Sequence, residues 1–163
     1  MFSPLHARCM ALFDTLKDKY HHIGFDNLYN SVSFCRAAFN HKMKPLIHGV
    51  TRKGGRGIPK CVQQDEVTSR AAQALVRGTV KVAKLEGDPQ CPCLIASSVY
   101  DTKPVHYLSM VSPKVEWVVK EKMVYNVETH RKEPLRFLQL NQIDTYNHGM
   151  GDVDIADQLR VFY

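Results

Sequence analysis

A mixed α/β domain is predicted by three features of this 163-residue sequence. Apolar residues recur at helical spacing near the N-terminus, a strand–helix–strand succession follows up to residue 51, and a β-rich stretch comes after it. At this length a single domain with a real core is expected.

Leu5, Cys9, Leu12, Phe13 and Leu16 recur at i, i+3 and i+4 spacing, with Arg8, Asp14, Lys17 and Asp18 elsewhere, which predicts an amphipathic helix over 5–19. Residues 20–25, Tyr-His-His-Ile-Gly-Phe, form a short strand candidate. Asp26-Asn27 then begins a turn, and either residue suits the cap of a helix over about 28–41 with Leu28, Val32, Cys35, Ala38 and Phe39 on one face. Lys44 to Thr51 carries Leu46, Ile47 and Val50 and predicts a second strand. Arg52-Lys-Gly-Gly-Arg-Gly-Ile-Pro59 is a loop by composition.

Residues 79–85 alternate like a half-buried strand, which Gly87-Asp88-Pro89 breaks. Leu94 to Val99 and Val105 to Met110 predict a strand pair around 100–104, and Trp117 to Val127 a further extended piece, with Trp117 in the core. The final stretch, 143–163, reads as helical, with Gly149 and Gly151 leaving its start open. No internal repeat, heptad or low-complexity segment is present.

Net charge is +6, from 22 basic and 16 acidic residues, which favours an anionic partner. Its distribution says more than its total. Between Asn27 and Gln64 no acid occurs, while Arg36, Lys42, Lys44, Arg52, Lys53, Arg56 and Lys60 do. Such a run suits contact with a phosphate backbone, and a solvated loop would show the same composition.

The five cysteines are Cys9, Cys35, Cys61, Cys91 and Cys93, without paired Cys-x-x-Cys motifs. Reduced, mostly buried thiols in an intracellular protein are expected, rather than a structural zinc site. The N-terminus lacks the apolar stretch of a signal peptide, and no apolar run reaches the roughly 18 residues of a membrane span. A soluble protein of cytoplasm or nucleus is the expectation. The loop at 52–57 lacks the Gly-Lys-Ser/Thr ending of a phosphate-cradling loop, Ser97 and Ser98 lack a hydrolase nucleophile context, and His21-His22 on a strand would point to opposite faces. No small-molecule substrate is expected.

Acids remain. Asp152, Asp154 and Asp157 crowd into six residues, and Asp154 and Asp157 would share a helix face. Asp26 ends a strand far upstream. Acids converging from a strand end and a helix suit divalent ions that stabilise phosphoryl transfer. Asp in the first turn also stabilises any helix, and Asp26 suits a cap, so spacing leaves both readings open.

These residues also carry a family resemblance. Phe25-Asp26-Asn27-Leu28-Tyr29-Asn30-Ser31-Val32 resembles the Asp-Asn-Phe-Tyr-Thr-Ser motif of piggyBac-type transposases. Arg52 to Lys60 resembles their basic Arg-Gly-Leu-Pro segment, and Leu94 to Val99 their Leu-Leu-Ser-Thr strand. Tyr146-Asn147-His-Gly-Met150-Gly151-Asp152-Val153-Asp154-Ile-Ala-Asp157-Gln158-Leu159 is similar to their Tyr-Asn-x-x-Met-Gly-Gly-Val-Asp-x-x-Asp-Gln motif, the most specific of the set. Order and approximate spacing agree over nearly the whole chain.

The resemblance implies a partial RNase H-like transposase catalytic core over 1–163, with about 65–130 as a β-rich, insertion-like segment. It implies cleavage and joining of DNA at TTAA targets, in which water or a terminal 3′-hydroxyl attacks phosphorus. Asp26 matches the second of four acids, Asp154 the third and Asp157 the last, as catalytic residues and ligands of Mg2+ (or Mn2+). Arg52, Lys53, Arg56 and Lys60 would bind DNA. A nuclear location and a homodimer of the full-length form also follow.

Two departures qualify it. The family's first acid lies on a strand upstream of the matching region, and Asp14 and Asp18 sit in the helix-like segment instead. Asp152 stands where the family usually has Gly. For this chain alone the expectation is a transposase-derived DNA-binding fold without cleavage, a domesticated or chromatin-associated module being the alternative. If residues 20–25 are a central strand of such a core, its neighbour on one side is not in this sequence, and that edge is open.

Overall fold

A computed structural model describes residues 4–150 except Pro113 and Val127. The first helix, α1 (Pro4–Phe13), buries Cys9 and Phe13. It is shorter than its periodicity predicts. Thr15 ends it by turning both its backbone N–H and its hydroxyl onto the Leu12 carbonyl, at 3.0 and 2.7 Å. Asp14 leaves the helix to meet Lys42 at 2.7 Å, and Leu12 is 65% exposed rather than in the core.

Strand β1 (His22–Phe25) leads into a turn in which the N–H groups of Tyr29 and Asn30 both bond to the Asp26 carbonyl. That turn delays the next helix, α2 (Val32–Asn40), to residue 32. Neither Asp26 nor Asn27 caps it. Ser31 does, its hydroxyl accepting from the Phe34 N–H at 3.3 Å. Leu28, expected on the apolar face, lies in the turn and is 51% exposed.

Strands β2 (Leu46–Thr51), β3 (Val80–Lys84), β4 (Ile95–Tyr100) and β5 (Pro104–Ser109) join β1 in one five-stranded sheet, in the order β1-β2-β5-β4-β3. β1 and β2 run parallel, and the other neighbours are antiparallel. This mixed sheet with helices bears out the expected fold class. β1 stands at one edge, with no partner on its outer side among the described residues.

Strand alternation divides the sheet into two faces. On one, Ile23, Phe25, Ile47, Ala96 and Leu108 meet Phe13, Phe34, Cys35 and Ala38 of the helices, and this is the main core. Phe25 packs edge-on against Phe34 with ring centroids 5.2 Å apart. On the other face lies a helix over 141–150, a little earlier than expected. Its Tyr146 packs edge-on against His48 and Tyr107, each at 5.9 Å.

Two elements escape the sequence reading. The short helix α3 (Arg70–Val76) has too few residues to show a period. Strand β7 (Arg131–Leu140) pairs with β6 (Trp117–Asn126) along ten residues each as a separate two-stranded ribbon. β7 carries Pro134, which argues against a strand, but half the N–H groups of a ribbon point away from the partner strand and proline costs nothing there. Trp117, expected in the core, is 45% exposed on this ribbon.

The β1–β2 pairing sets a strict demand at Gly49, which sits opposite Phe25 with φ +149. A Cβ there would lie 1.9 Å from the Phe25 carbonyl oxygen, in a backbone conformation that L side chains rarely adopt. Gly49→Ala should therefore lower stability by about 3 kcal/mol or more in urea denaturation. An unchanged midpoint would contradict this register.

Candidate functional site

Asp26 begins where β1 ends, and its carboxylate is exposed. Its Oδ1 accepts the Asn27 N–H at 2.6 Å, and its carbonyl holds the turn described above. Asn30 fixes that turn from below. It is 3% exposed, and its side-chain amide donates to the Gly49 carbonyl at 2.8 Å and the Leu108 carbonyl at 3.3 Å. The Thr51 hydroxyl donates to the Asn30 carbonyl at 3.0 Å. The acid is thus held at the sheet edge by bonds to β2 and β5.

The helix over 141–150 approaches the same place. A Cβ on Gly24 would lie 3.7 Å from His48 Nε2 and 3.9 Å from the Tyr146 ring. Tyr146 therefore covers the face of β1 to which Gly24 turns, and Asp26 follows two residues later with the same alternation. Asp152, Asp154 and Asp157 lie outside the described residues. Among the described residues no group of three or more His, Cys, Asp or Glu is placed to hold a metal ion. Of the three predicted metal-ligating acids only Asp26 falls among the described residues, and its exposed carboxylate offers hard oxygens of the kind Mg2+ or Mn2+ requires.

The basic loop is anchored at both ends. Thr51 ends β2 before it. After it, the Gln64 N–H donates to His106 Nε2 at 3.2 Å, and the Gln64 side chain donates to Ser98 Oγ at 2.8 Å and to the Thr79 carbonyl at 3.2 Å. Ser98 in turn donates to the Val62 carbonyl at 2.5 Å. Arg52, Lys53, Arg56 and Lys60 are all exposed on the span between these anchors. Lys53 pairs with Asp65, whereas Arg52, Arg56 and Lys60 make no ion pair among the described residues.

Two of the predicted basic residues, Arg52 and Arg56, line one shallow cavity with His6, Asn27, Ser31 and Thr51. The turn after β1 thus reaches this cavity through Asn27, but Asp26 itself does not line it, and neither do Lys53 and Lys60. Sequence reasoning missed Asn30, Gln64 and His106, whose partners lie 15 to 78 residues away. Only the loss of an expected exposed polar side chain into the core could have flagged them.

A family model described as Transposase IS4 matches residues 4–163. The chain belongs to the IS4 transposase family. No curated protein matches it. Among solved structures, the chain is similar to a piggyBac transposase in a cryo-EM synaptic complex with hairpin DNA, at 21% identity and a TM-score of 0.62. That match covers 96% of this chain and 27% of the other, so the chain spans about a quarter of the transposase whose fold it shares. Family and fold together support a transposase-type function, and bear out the piggyBac-type resemblance.

The loop anchor of this transposase-family chain is sensitive to pH. His106 accepts from Gln64, and burial, with Lys53 nearby, holds its pKa below the usual histidine value. Burial, with His22 nearby, does the same for His48, whose Nδ1 has no partner among the described residues. Between the depressed folded pKa values and the unfolded value near 6.5, the unfolded chain binds more protons, so stability rises with pH there. Unfolding free energy should thus fall as pH drops from about 7 toward 5, and His106→Gln should make that slope shallower. An identical slope in the variant would contradict the assignment. The carboxylates with lowered pKa, such as Asp14 and Asp88, act at lower pH.

Proposed function

We propose that this chain is the DNA-binding part of a transposase catalytic core, and that the longer protein containing it cleaves and joins DNA strands with a divalent ion. The observation that carries the proposal is the cavity in which Arg52 and Arg56, without acidic partners among the described residues, lie beside Asn27 of the turn after β1. Guanidinium groups there suit phosphate oxygens, and the exposed carboxylate of Asp26, next to Asn27 in sequence, suits a metal ion. The DNA in the similar piggyBac transposase structure is consistent with such a partner.

In this reading Asp26, Asp154 and Asp157 would hold Mg2+ or Mn2+, which when bound would supply stabilisation of the charge that develops on phosphorus oxygens in strand transfer. Arg52 and Arg56 seat the backbone, Lys60 extends the contact along the loop, and Lys53 reaches DNA only by releasing Asp65. Asp26 is kept in place by Asn30 and the parallel β1–β2 pair. The remaining acid comes from outside this sequence, as do the features that set target choice. A nuclear location and a homodimer of the full-length protein belong to the same proposal.

Binding is tested with fluorescent duplexes over a salt series. Affinity should fall steeply with salt, and Arg52→Ala with Arg56→Ala should weaken binding for all sequences and reduce the log–log slope by about 2. Unchanged affinity and slope would remove the proposed interface. Cleavage is tested in the full-length protein. It should require Mg2+ or Mn2+ and disappear in Asp26→Ala and Asp154→Ala, while DNA binding persists. Cleavage that survives both substitutions would remove the assigned acids, and binding without any cleavage would identify an inactive, domesticated module.

A further inference from the structure

Cys35, Cys91 and Cys93 lie in or against one core cluster, and Cys35 among them donates to Asn30 Oδ1, in the turn after Asp26, at 3.5 Å. Cys35 lies on α2, fully buried. Cys91 and Cys93 lie just before β4, the first fully buried and the second half-buried. Hydrogen bonds from α2 hold the segment before β4 against the helix. Arg36, next to Cys35, pairs with Asp88 at 2.8 Å, and Asn40 donates to the Gln90 carbonyl at 3.4 Å.

The chain then turns sharply. The Leu94 N–H bonds to the Cys91 carbonyl at 3.4 Å, so Cys91 to Leu94 form a β-turn with Pro92 at its second position. The turn places Cys93 two residues beyond Cys91 on the same tight bend, where each thiol bears on the other's titration. All the cysteines are free thiols.

We propose that Cys91 and Cys93 are a redox-active pair oxidised by hydroperoxides, with Cys93 as the attacking sulfur and Cys91 as the resolving one. Cys93 is the more accessible of the two, half-buried where Cys91 is fully buried. The neighbouring Cys91 thiol holds the Cys93 pKa down, to about 7, while Cys93 and burial push the Cys91 thiol up. Burial likewise raises Cys35, to about 12, which keeps it an unreactive thiol beneath the pair.

The chemistry balances with hydrogen peroxide as oxidant. The Cys93 thiolate attacks one peroxide oxygen, the O–O bond breaks, and hydroxide leaves and takes up the proton that Cys93 gave to solvent. Cys93 is now a sulfenic acid. The Cys91 sulfur attacks the Cys93 sulfur, the S–O bond breaks, and the hydroxyl departs as water with the Cys91 proton. Two thiols have become a disulfide and one peroxide two waters. A disulfide must draw the two sulfurs to bonding distance, so oxidation bears on the turn that Arg36 and Asn40 tie to α2.

The test uses the full chain. Iodoacetamide alkylation mapped by mass spectrometry at pH 7 should modify Cys93 roughly tenfold faster than the exposed Cys61, with the Cys93 rate falling below about pH 7. After hydrogen peroxide, peptide mapping should show a Cys91–Cys93 disulfide that thiols reverse. In Cys91→Ser, Cys93 should stop at sulfenic acid and be trapped by a 1,3-dione probe. Equal alkylation of Cys93 and Cys61, or a disulfide mapped from Cys93 to Cys35, would overturn the proposal. The alkylation arm needs no variant, so a Cys91→Ser chain that fails to fold leaves it decisive.

Discussion

The buried amide of Asn30 is the constraint on which the rest of the site depends. Its N–H groups reach carbonyls on β2 and β5 at once, and Thr51, the last residue of β2 before the basic loop, bonds back to its carbonyl. A buried amide is stable only when its polar atoms are satisfied. Three elements must therefore meet at one residue: the turn after β1, the parallel strand beside it, and the middle strand of the sheet. Asp26 inherits its position from that meeting. So does the start of α2, because Ser31 follows Asn30 directly and caps the helix. Gly49 answers the same demand from the other side, since only a residue without Cβ lets the Phe25 carbonyl come so close to β2.

Much of this was legible in the sequence, and the failures have physical causes. The sheet strands were legible because each carries alternating or continuous apolar residues between turn signals, as in Leu46 to Thr51 and Leu94 to Val99. The start of α2 was not. Asp26-Asn27 is a good capping pair, but its backbone was already committed to a turn, and Ser31 took the cap. β7 was hidden by Pro134 and by charged residues that suit a solvent-exposed ribbon. At the candidate site, residue type and spacing singled out Asp26 and the basic loop as candidates. They could not reveal Asn30, Gln64 or His106, because a polar side chain buried by distant partners looks like any surface residue in the sequence.

The loop carrying Arg52 and Arg56 shows how a segment without regular structure is made specific. Its composition favours flexibility, with three glycines in six residues from Lys53 to Ile58. Yet β2 holds one end, and the Gln64 network with His106 and Ser98 holds the other. Ile58 and Val62 add apolar anchors, at 8% and 1% exposure. The conformational freedom that remains is confined to the tips of long basic side chains. Such freedom suits a partner recognised by its regular phosphate charges rather than by one fixed shape.

Charge balance sorts the basic residues further. Lys53 stands in the loop but is engaged with Asp65 just beyond it, so it makes a smaller net contribution to an anionic partner than its neighbours. Arg36, deeper in the acid-free stretch, is occupied by Asp88 and serves the turn before β4 instead. Counting basic residues between Asn27 and Gln64 therefore overstates the interface. Arg52, Arg56 and Lys60 have no ion pair among the described residues, and of these the two arginines line the cavity beside Asn27. A planar guanidinium can meet a phosphate through two hydrogen bonds at once, which a lysine cannot. In the proposed function, phosphate recognition would therefore centre on Arg52 and Arg56, which line the cavity that the turn after β1 reaches through Asn27.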